Sequence, residues 1–285
     1  MPELPEVETV RLGLERWCLE QKIVGVEVLH DRATNPRSLG ALDCVKGATI
    51  KNIARRGKFL WFELDRPFAL VAHLGMSGQF RVHPVKTADE KHLRTRFTIS
   101  RNLFAAHAVA AKRQELRFID QRTFGWLAIS ELTGEVPELV SGIARDIFDP
   151  NFERVEVIAK FRKRKTEIKR ALLDQNLMSG VGNIYADESL WRAKIHPESM
   201  ASALSAGKIN SLLDCAALVM SQALVEGGTS FDSLYTNVTG QSGYFEHSLS
   251  AYGREGEPCP RCAHQICRIR FANRSSHFCP NCQRK

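Results

Sequence analysis

Apolar residues recur at helical spacing near the start of the chain, at Val7, Val10, Leu14 and Trp17 or Cys18. That stripe predicts a helix over 5–21. Pro5 suits the first helical position, and Glu6 and Glu8 suit the positive end of the helix dipole. Beyond residue 21 the pattern changes. Segments 22–30, 46–54, 58–65, 68–74, 79–83, 96–100 and 116–128 are short and rich in β-branched or aromatic residues. Turn residues such as Arg-Gly-Lys and Gly-Met-Ser-Gly separate them, which predicts a β-sandwich or barrel of about 130 residues. Residues 134–151 read as a connector. From 152 to 228 helical spacing returns, with helices expected over 161–174, 183–193 and 205–226. The stretch Leu-Met-Ser-Gly-Val-Gly-Asn (177–183) separates the first two. A tight glycine turn of this kind presents a helix N-terminus to a phosphate. Residues 228–257, rich in Gly, Ser and Tyr, read as a long loop, and no internal repeat is visible.

Composition narrows the partner. The chain has 285 residues, 44% of them hydrophobic, enough for a buried core and more than one domain. A formal net charge of +8 points to a polyanion, either nucleic acid or an acidic membrane surface. No run of about 18 apolar residues and no basic-then-apolar leader is present, so no membrane span is expected. A membrane-surface role would need a basic amphipathic helix with a clean apolar face, and none is legible.

Five of the eight cysteines fall between Cys259 and Cys282. Cys259-Pro-Arg-Cys262 and Cys279-Pro-Asn-Cys282 are two Cys-x2-Cys knuckles with 16 residues between the inner cysteines. Two knuckles on a hairpin close a four-thiolate zinc site, and four thiolates leave no open position, so one structural Zn2+ is expected. His264, Cys267 and His277 lie between the knuckles and are read as outside the shell. Cys18, Cys44 and Cys215 sit in apolar segments and are read as core residues. After Glu257 the chain has six Lys or Arg and no Asp or Glu, which suits a grip on nucleic acid. A second basic run, Lys160-Phe-Arg-Lys-Arg-Lys165 continuing to Lys169-Arg170, precedes the glycine turn. Alone it would read as a solvated helix face. With the turn and the zinc hairpin it completes a phosphate track, which positions a protein on DNA without reading sequence.

Three stretches together resemble one family. Pro-Glu-Leu-Pro-Glu-Val-Glu at the N-terminus, Leu-Met-Ser-Gly-Val-Gly-Asn-Ile-Tyr-Ala from Leu177, and the terminal four-cysteine finger occur in this order in the formamidopyrimidine-DNA glycosylases. The resemblance spans the whole chain. It implies an α+β fold: a β-sandwich catalytic domain with a leading helix over 1–135, a linker over 136–151, a helix-two-turn-helix domain with a lesion loop over 152–245, and a β-hairpin zinc finger over 246–285.

The resemblance also implies a chemistry. Removal of Met1 would expose Pro2 as a secondary amine. An α-amino group titrates near ~7.7–8.0, and the adjacent helix N-terminus is expected to push it lower. The neutral amine attacks the sugar C1′, expels the damaged base and leaves an iminium that acts as an electron sink for β,δ-elimination. Glu3 matches the acid that assists ring opening. Lys58 matches the lysine of β-elimination, and Arg274 the finger arginine of phosphate binding and δ-elimination. His92, Arg164, Lys169 and Asn183 match DNA-contacting positions. A base inside a duplex has to be flipped out, and the hole filled. Met76, Arg122 and Phe124 match the three intercalating residues, with Arg122 pairing with the orphaned cytosine. Gln241, Ser242 and Tyr244 fall in the stretch that closes over the flipped base. Many family members carry Gly-Lys-Pro-Gly there, so this chain departs from the pattern in that loop.

The expected activity is therefore base-excision repair of oxidised purines, 8-oxoguanine and formamidopyrimidines, by a bifunctional glycosylase and abasic-site lyase. The expected partner is damaged double-stranded DNA, and the expected setting is a monomer in the bacterial cytoplasm, associated with the nucleoid. Three alternatives remain open at this point. An endonuclease VIII-like relative would prefer oxidised pyrimidines, although such chains usually begin Pro-Glu-Gly-Pro-Glu and lack the Met–Arg–Phe triad. A non-catalytic damage-binding protein would be expected to lack Pro2, Glu3 or Lys58. A ribosome-associated zinc protein explains the charge and the finger but not the N-terminus.

Overall fold

Helix α1 (Leu4–Cys18) begins on a capping box, with Glu3 as the N-cap, and buries Leu4, Val7, Val10, Leu14 and Cys18 on one face. It stops three residues short of the expected end. Leu19 is extended and Glu20 is left-handed at φ 60, which turns the chain into strand β1 (Gln21–Val28). The computed structural model describes residues 2–101, 113–228, 238 and 245–285. Gln241, Ser242 and Tyr244 lie outside the described residues.

The β segments form two antiparallel sheets. One has the order β1, β6 (Leu93–Arg101), β7 (Gln114–Asp120), β5 (Gly78–Pro84). The other runs β2 (Ile50–Arg56), β3 (Phe59–Leu64), β4 (Phe68–His73), β8 (Trp126–Thr133), β9 (Val136–Pro137). Strand β6 alternates cleanly, with Leu93, Thr95, Phe97 and Ile99 inward, the signature of a sheet with one face on the core. Phe62 of β3 meets Phe80 of β5 edge-on at 5.8 Å, closing the two sheets face to face. Phe97, Phe118, Leu70, Leu127 and the α1 stripe complete that core. Burying each such side chain contributes about 1.5–3 kcal/mol.

The segment 116–128, expected as one strand, is two strands in different sheets. The break at Gln121–Gly125 is an irregular turn, and the polar run Asp120-Gln-Arg-Thr123 with Gly125 is its local signal. A second expected element also divides. The helix over 161–174 is α3 (Arg154–Lys163) and α4 (Ile168–Leu173), following the short α2 (Glu138–Ser141). Between them the backbone is extended, because Thr166 O accepts from Ala201 N at 2.9 Å and Ile168 N donates to Ser199 O at 2.7 Å. That distant segment wins over helix propensity.

Helix α5 (Asn183–Ala193) is buried almost all round, and α6 (Ala206–Val225) packs against it. By length and composition α6 is apolar enough to cross a bilayer. Here it presents Ile209, Leu212, Leu213, Ala216, Val219, Met220 and Ala223 to the protein interior. A hairpin, β10 (Cys267–Phe271) and β11 (Arg274–Phe278), ends the chain. The buried Glu188 carboxylate accepts the N–H groups of Ser250, Ala251 and Tyr252 and so ties the preceding loop to α5. The chain divides into two compact units. One runs to Gly142 and takes in Gly227, Gly228 and Val238; the other holds Ile143–Glu226 and the segment from Phe245 to Lys285.

Candidate active site

In the first unit the N-terminus is built into the core. Pro2 is buried and Glu3 is 2% exposed. The Glu3 carboxylate accepts the Glu6 N–H, while Glu6 Oε2 accepts the Glu3 N–H at 2.8 Å. This reciprocal box satisfies donors a helix start otherwise leaves orphaned. It also clamps the peptide bond that follows Pro2. Glu6 therefore belongs to the site, a role that sequence reasoning confined to the helix dipole. Its signal was the three-residue spacing from Glu3. Gly228 packs on Glu6 so closely that a Cβ there would lie 3.2 Å from its side chain, at a φ of +87.

Lys58 follows the positive-φ Gly57 in the β2–β3 turn and is 6% exposed. The turn is bolted to α1. Arg55 Nε donates to Glu8 Oε2 at 2.9 Å and Arg55 Nη1 donates to Gly57 O at 3.0 Å. Arg11 bridges Glu8 and Ile53 O. Glu8 and Arg55 thus hold the helix carrying Pro2 and Glu3 in register with the turn carrying Lys58.

His73, another residue the sequence reading passed over, lies between Phe59 at 4.8 Å and Trp126, stacked at 5.8 Å. Its Nδ1 accepts the Gly75 N–H at 3.1 Å. Burial, then the nearby Lys58 ammonium, pushes its pKa down to about 4, so the neutral ring carries its proton on Nε2. The three expected intercalators share one edge of this unit. Met76 is partly exposed, Arg122 is exposed and Phe124 is 56% exposed. The Arg122 guanidinium lies over the Phe124 ring at 5.4 Å. His92 is partly exposed.

In the second unit Gly182 is the N-cap of α5 and Asn183 its first residue. Asn183 Nδ2 donates to Ser275 O at 3.0 Å, and its buried Oδ1 has no partner among the described residues, nor does the buried Ser179 Oγ. Arg164 caps α3, stays exposed and pairs with Asp174 at 2.8 Å. Arg162, Lys163 and Lys165 beside it are exposed too. Arg274, the first residue of β11, is exposed next to a turn in which Ala272 takes φ 50.

Lys169 departs from expectation. Its side chain is 0% exposed, its Nζ is 2.7 Å from Asp187 Oδ1, and it donates to Ser275 O at 3.0 Å. A cation with no surface cannot lie against a phosphate. It anchors the β10–β11 hairpin from within, together with Asn183 on the same carbonyl. Asp187 also accepts from Ser276 Oγ and from His277 N, each at 2.8 Å.

The Sγ atoms of Cys259, Cys262, Cys279 and Cys282 all lie within 4.8 Å of one another. Tetrahedral zinc with Zn–S of about 2.3 Å needs S···S of about 3.8 Å, so these residues fit the ion. Trp191 Nε1 donates to Cys259 Sγ at 3.3 Å. Gln283 bridges Cys279 N and Ile195 O. Among the described residues this is the one metal-competent group. His277 is committed to Asp187, and Cys267 lies beside Gln265 O, so both stay outside it.

These features have known counterparts. Three family profiles match in sequence order: the formamidopyrimidine-DNA glycosylase N-terminal domain over residues 1–127, its H2TH domain over 143–234, and the zinc finger found in FPG and IleRS over 256–284. The chain is 49% identical over 286 residues to the formamidopyrimidine-DNA glycosylase of Salinispora tropica, covering 99% of this chain and 96% of that one. It is 50% identical over 289 residues to that of Streptomyces avermitilis, covering 100% and 98%. Among solved structures it resembles a Lactococcus lactis Fpg variant in complex with Fapy-dG-containing DNA, with a TM-score of 0.85, 34% identity and full coverage of both chains. It also resembles MutM in complex with DNA containing carbocyclic 8-oxo-G, with a TM-score of 0.83, 34% identity and full coverage of both. Three domain profiles in sequence order, full-length relatives at 49% and 50% identity and full-length structural matches thus agree, and the chain belongs to the formamidopyrimidine-DNA glycosylase family.

Proposed function

We propose that this protein excises oxidised purines, 8-oxoguanine and formamidopyrimidines, from duplex DNA and nicks the strand through an N-terminal proline Schiff base. The observation that carries the reading is the capping box that buries Pro2 and Glu3 at the start of α1. A disordered N-terminus would have no reason for either group to be buried. With Met1 removed, the Pro2 nitrogen bonds to C1′ as the C1′–base bond breaks, and the proton the nitrogen sheds neutralises the departing base. Glu3 gives a proton to the ring oxygen as the sugar opens, and the nitrogen lone pair completes the iminium. Loss of the C2′ proton then expels the 3′ phosphate. Removal of a further sugar proton expels the 5′ phosphate, and water releases the amine. Lys58 supplies positive charge to phosphate oxygens on the Pro2 side, held there by the Arg55–Gly57 contact. Arg274, Arg164, His92 and Asn183 contact the backbone, and Met76, Arg122 and Phe124 fill the space of the flipped nucleotide. Zinc holds the ribbon that carries Arg274 and supplies no reacting group. The protein acts as a monomer on damaged double-stranded DNA in the bacterial cytoplasm.

The test is reductive trapping. Purified protein is mixed with a duplex carrying 8-oxoguanine opposite cytosine, borohydride is added, and the crosslinked peptide is mapped by mass. An adduct on Pro2 is expected. A Lactococcus lactis relative has been crystallised with DNA containing an oxidised pyrimidine, so the same assay with such a duplex is run alongside. Trapping with that duplex alone would replace the purine assignment, and tight binding without any adduct would replace the enzymatic one.

A further inference from the structure

The loop carrying Met76 joins β4 to β5 and the loop carrying Arg122 and Phe124 joins β7 to β8, so both cross between the same two sheets, with Gly78 of β5 opposite Asp120 of β7. One buried side chain joins them. Asp120 is 0% exposed, and no net of surface charges explains a carboxylate there. Its Oδ1 accepts from Ser77 Oγ at 2.5 Å and from Arg122 N at 3.2 Å, and its Oδ2 accepts from Gly125 N at 2.7 Å. Ser77 Oγ in turn accepts from Arg122 N at 2.9 Å. The Asp120 backbone is used as well: its N–H donates to His92 O at 3.0 Å and its C=O accepts from Arg94 Nε at 2.8 Å. Met76, His92, Arg122 and Phe124 therefore all hang within two residues of groups bound to Asp120.

Two further features show that the arrangement is held against resistance. Thr123, between Arg122 and Phe124, has φ 55, a left-handed conformation that is an outlier for a β-branched residue and persists only where its surroundings impose it. Asp120 grips both sides of it, at Arg122 N and at Gly125 N. The loops also touch backbone to backbone. A Cβ on Gly75 would lie 2.3 Å from the Phe124 carbonyl carbon, and one on Gly125 would lie 3.0 Å from the Leu74 oxygen.

We infer that Asp120, through Ser77, is the positioning residue that sets Met76, Arg122 and Phe124 as one rigid wedge for insertion into the duplex. The inference rests on the intercalating role proposed above for those three residues. Asp120 touches no substrate. Its carboxylate fixes the spacing of the two loops, and a misplacement of about 1 Å in such a wedge costs as much as losing a contact.

The test compares wild-type protein with Ser77→Ala and Asp120→Asn on two abasic substrates. One is a single strand, which needs no wedge. The other is a duplex with 2-aminopurine beside the abasic site, whose fluorescence rises when the wedge unstacks it. Trapping joins the Pro2 amine to the sugar aldehyde with loss of water, and borohydride reduces the product. Both variants are expected to trap the single strand within about twofold of wild type. On the duplex, trapping and the fluorescence rise are expected to fall about tenfold, the equivalent of one buried hydrogen-bond network. Ser77→Ala removes a single hydroxyl and keeps the comparison valid should Asp120→Asn fold poorly. Equal fluorescence in wild type and Ser77→Ala would overturn the inference. Equal losses on both substrates would overturn it too, as a general structural effect. Should wild type trap neither substrate, the proposed chemistry fails, while the fluorescence comparison still decides the wedge.

Discussion

Lys169 and Asp187 form an ion pair with both side chains 0% exposed and Nζ 2.7 Å from Oδ1, at the root of the hairpin that carries Arg274. Asp187 spends its remaining acceptor capacity on Ser276 and His277, so the pair is the joint between the helices and the zinc ribbon. Removing one partner of a buried pair leaves the other uncompensated. Lys169→Met is therefore expected to lower stability by about 3–5 kcal/mol, whereas Lys169→Met with Asp187→Asn, which removes the second charge and keeps an acceptor for the His277 N–H, loses much less. Chemical denaturation of the two variants measures the difference. Equal losses would show that the charge pairing is not what holds the ribbon.

Zinc removal acts on the same element. Chelation, or Cys279→Ser, is expected to melt the β10–β11 ribbon and to change Trp191 fluorescence, because Trp191 Nε1 donates to Cys259 Sγ. One zinc per chain by elemental analysis, and loss of duplex binding on chelation with helical content of the rest kept, are the expected readouts.

The capping box separates positioning from chemistry. Glu3→Gln keeps an acceptor for the Glu6 N–H but no longer donates a proton, so excision is expected to slow by about 10²–10⁴ with little change in melting temperature. Glu6→Ala removes the acceptor for the Glu3 N–H and is expected to cost about 1 kcal/mol of stability. Glu6→Gln keeps that acceptor and retains most of the activity. Single-turnover excision and thermal melts of the three variants decide it.

His73 predicts an acid-side loss of stability. Its pKa in the folded protein is pushed down to about 4 from the ordinary 6.5. Between those values the unfolded chain binds the proton and the folded one does not, so stability rises with pH across that window. The contribution is fully present above about pH 6.5 and is lost as pH falls toward 4, amounting to about 3 kcal/mol at the low end. His73→Asn keeps an acceptor for the Gly75 N–H and removes the titration. Its melting temperature is expected to fall less steeply than that of wild type from pH 7 to 4.5.

Much of the molecule was legible from local chemistry. The α1 stripe, the short strands, the helix over 183–193 and the paired knuckles each follow from residues within a few positions of one another, where spacing alone states which side chains share a face. The places where reading failed are those where a distant segment outbid local preference. The stretch 116–128 is expected as one strand, yet the polar run Asp120-Gln-Arg-Thr123 and Gly125 break it, and its halves serve different sheets. The stretch 161–174 reads as one helix, yet residues 199–201 capture its middle as extended backbone.

The sequence by itself determined most element types, the metal ligands and the family, since each depends on residue identity at short fixed separations. Tertiary structure alone decided which charges are tools and which are ties. Lys169 and Arg164 both stand in one basic run. The first is enclosed beside Asp187 and the second is exposed beside Asp174. Asp120 carries no mark that separates it from any turn aspartate, and its role exists only because β5 pairs beside β7 and sets Ser77 against it, while the turn folds Gly125 back onto it. Burial is a property of the packed chain: it turns an ordinary side chain into an unavoidable hydrogen-bonding centre, and no local pattern records it.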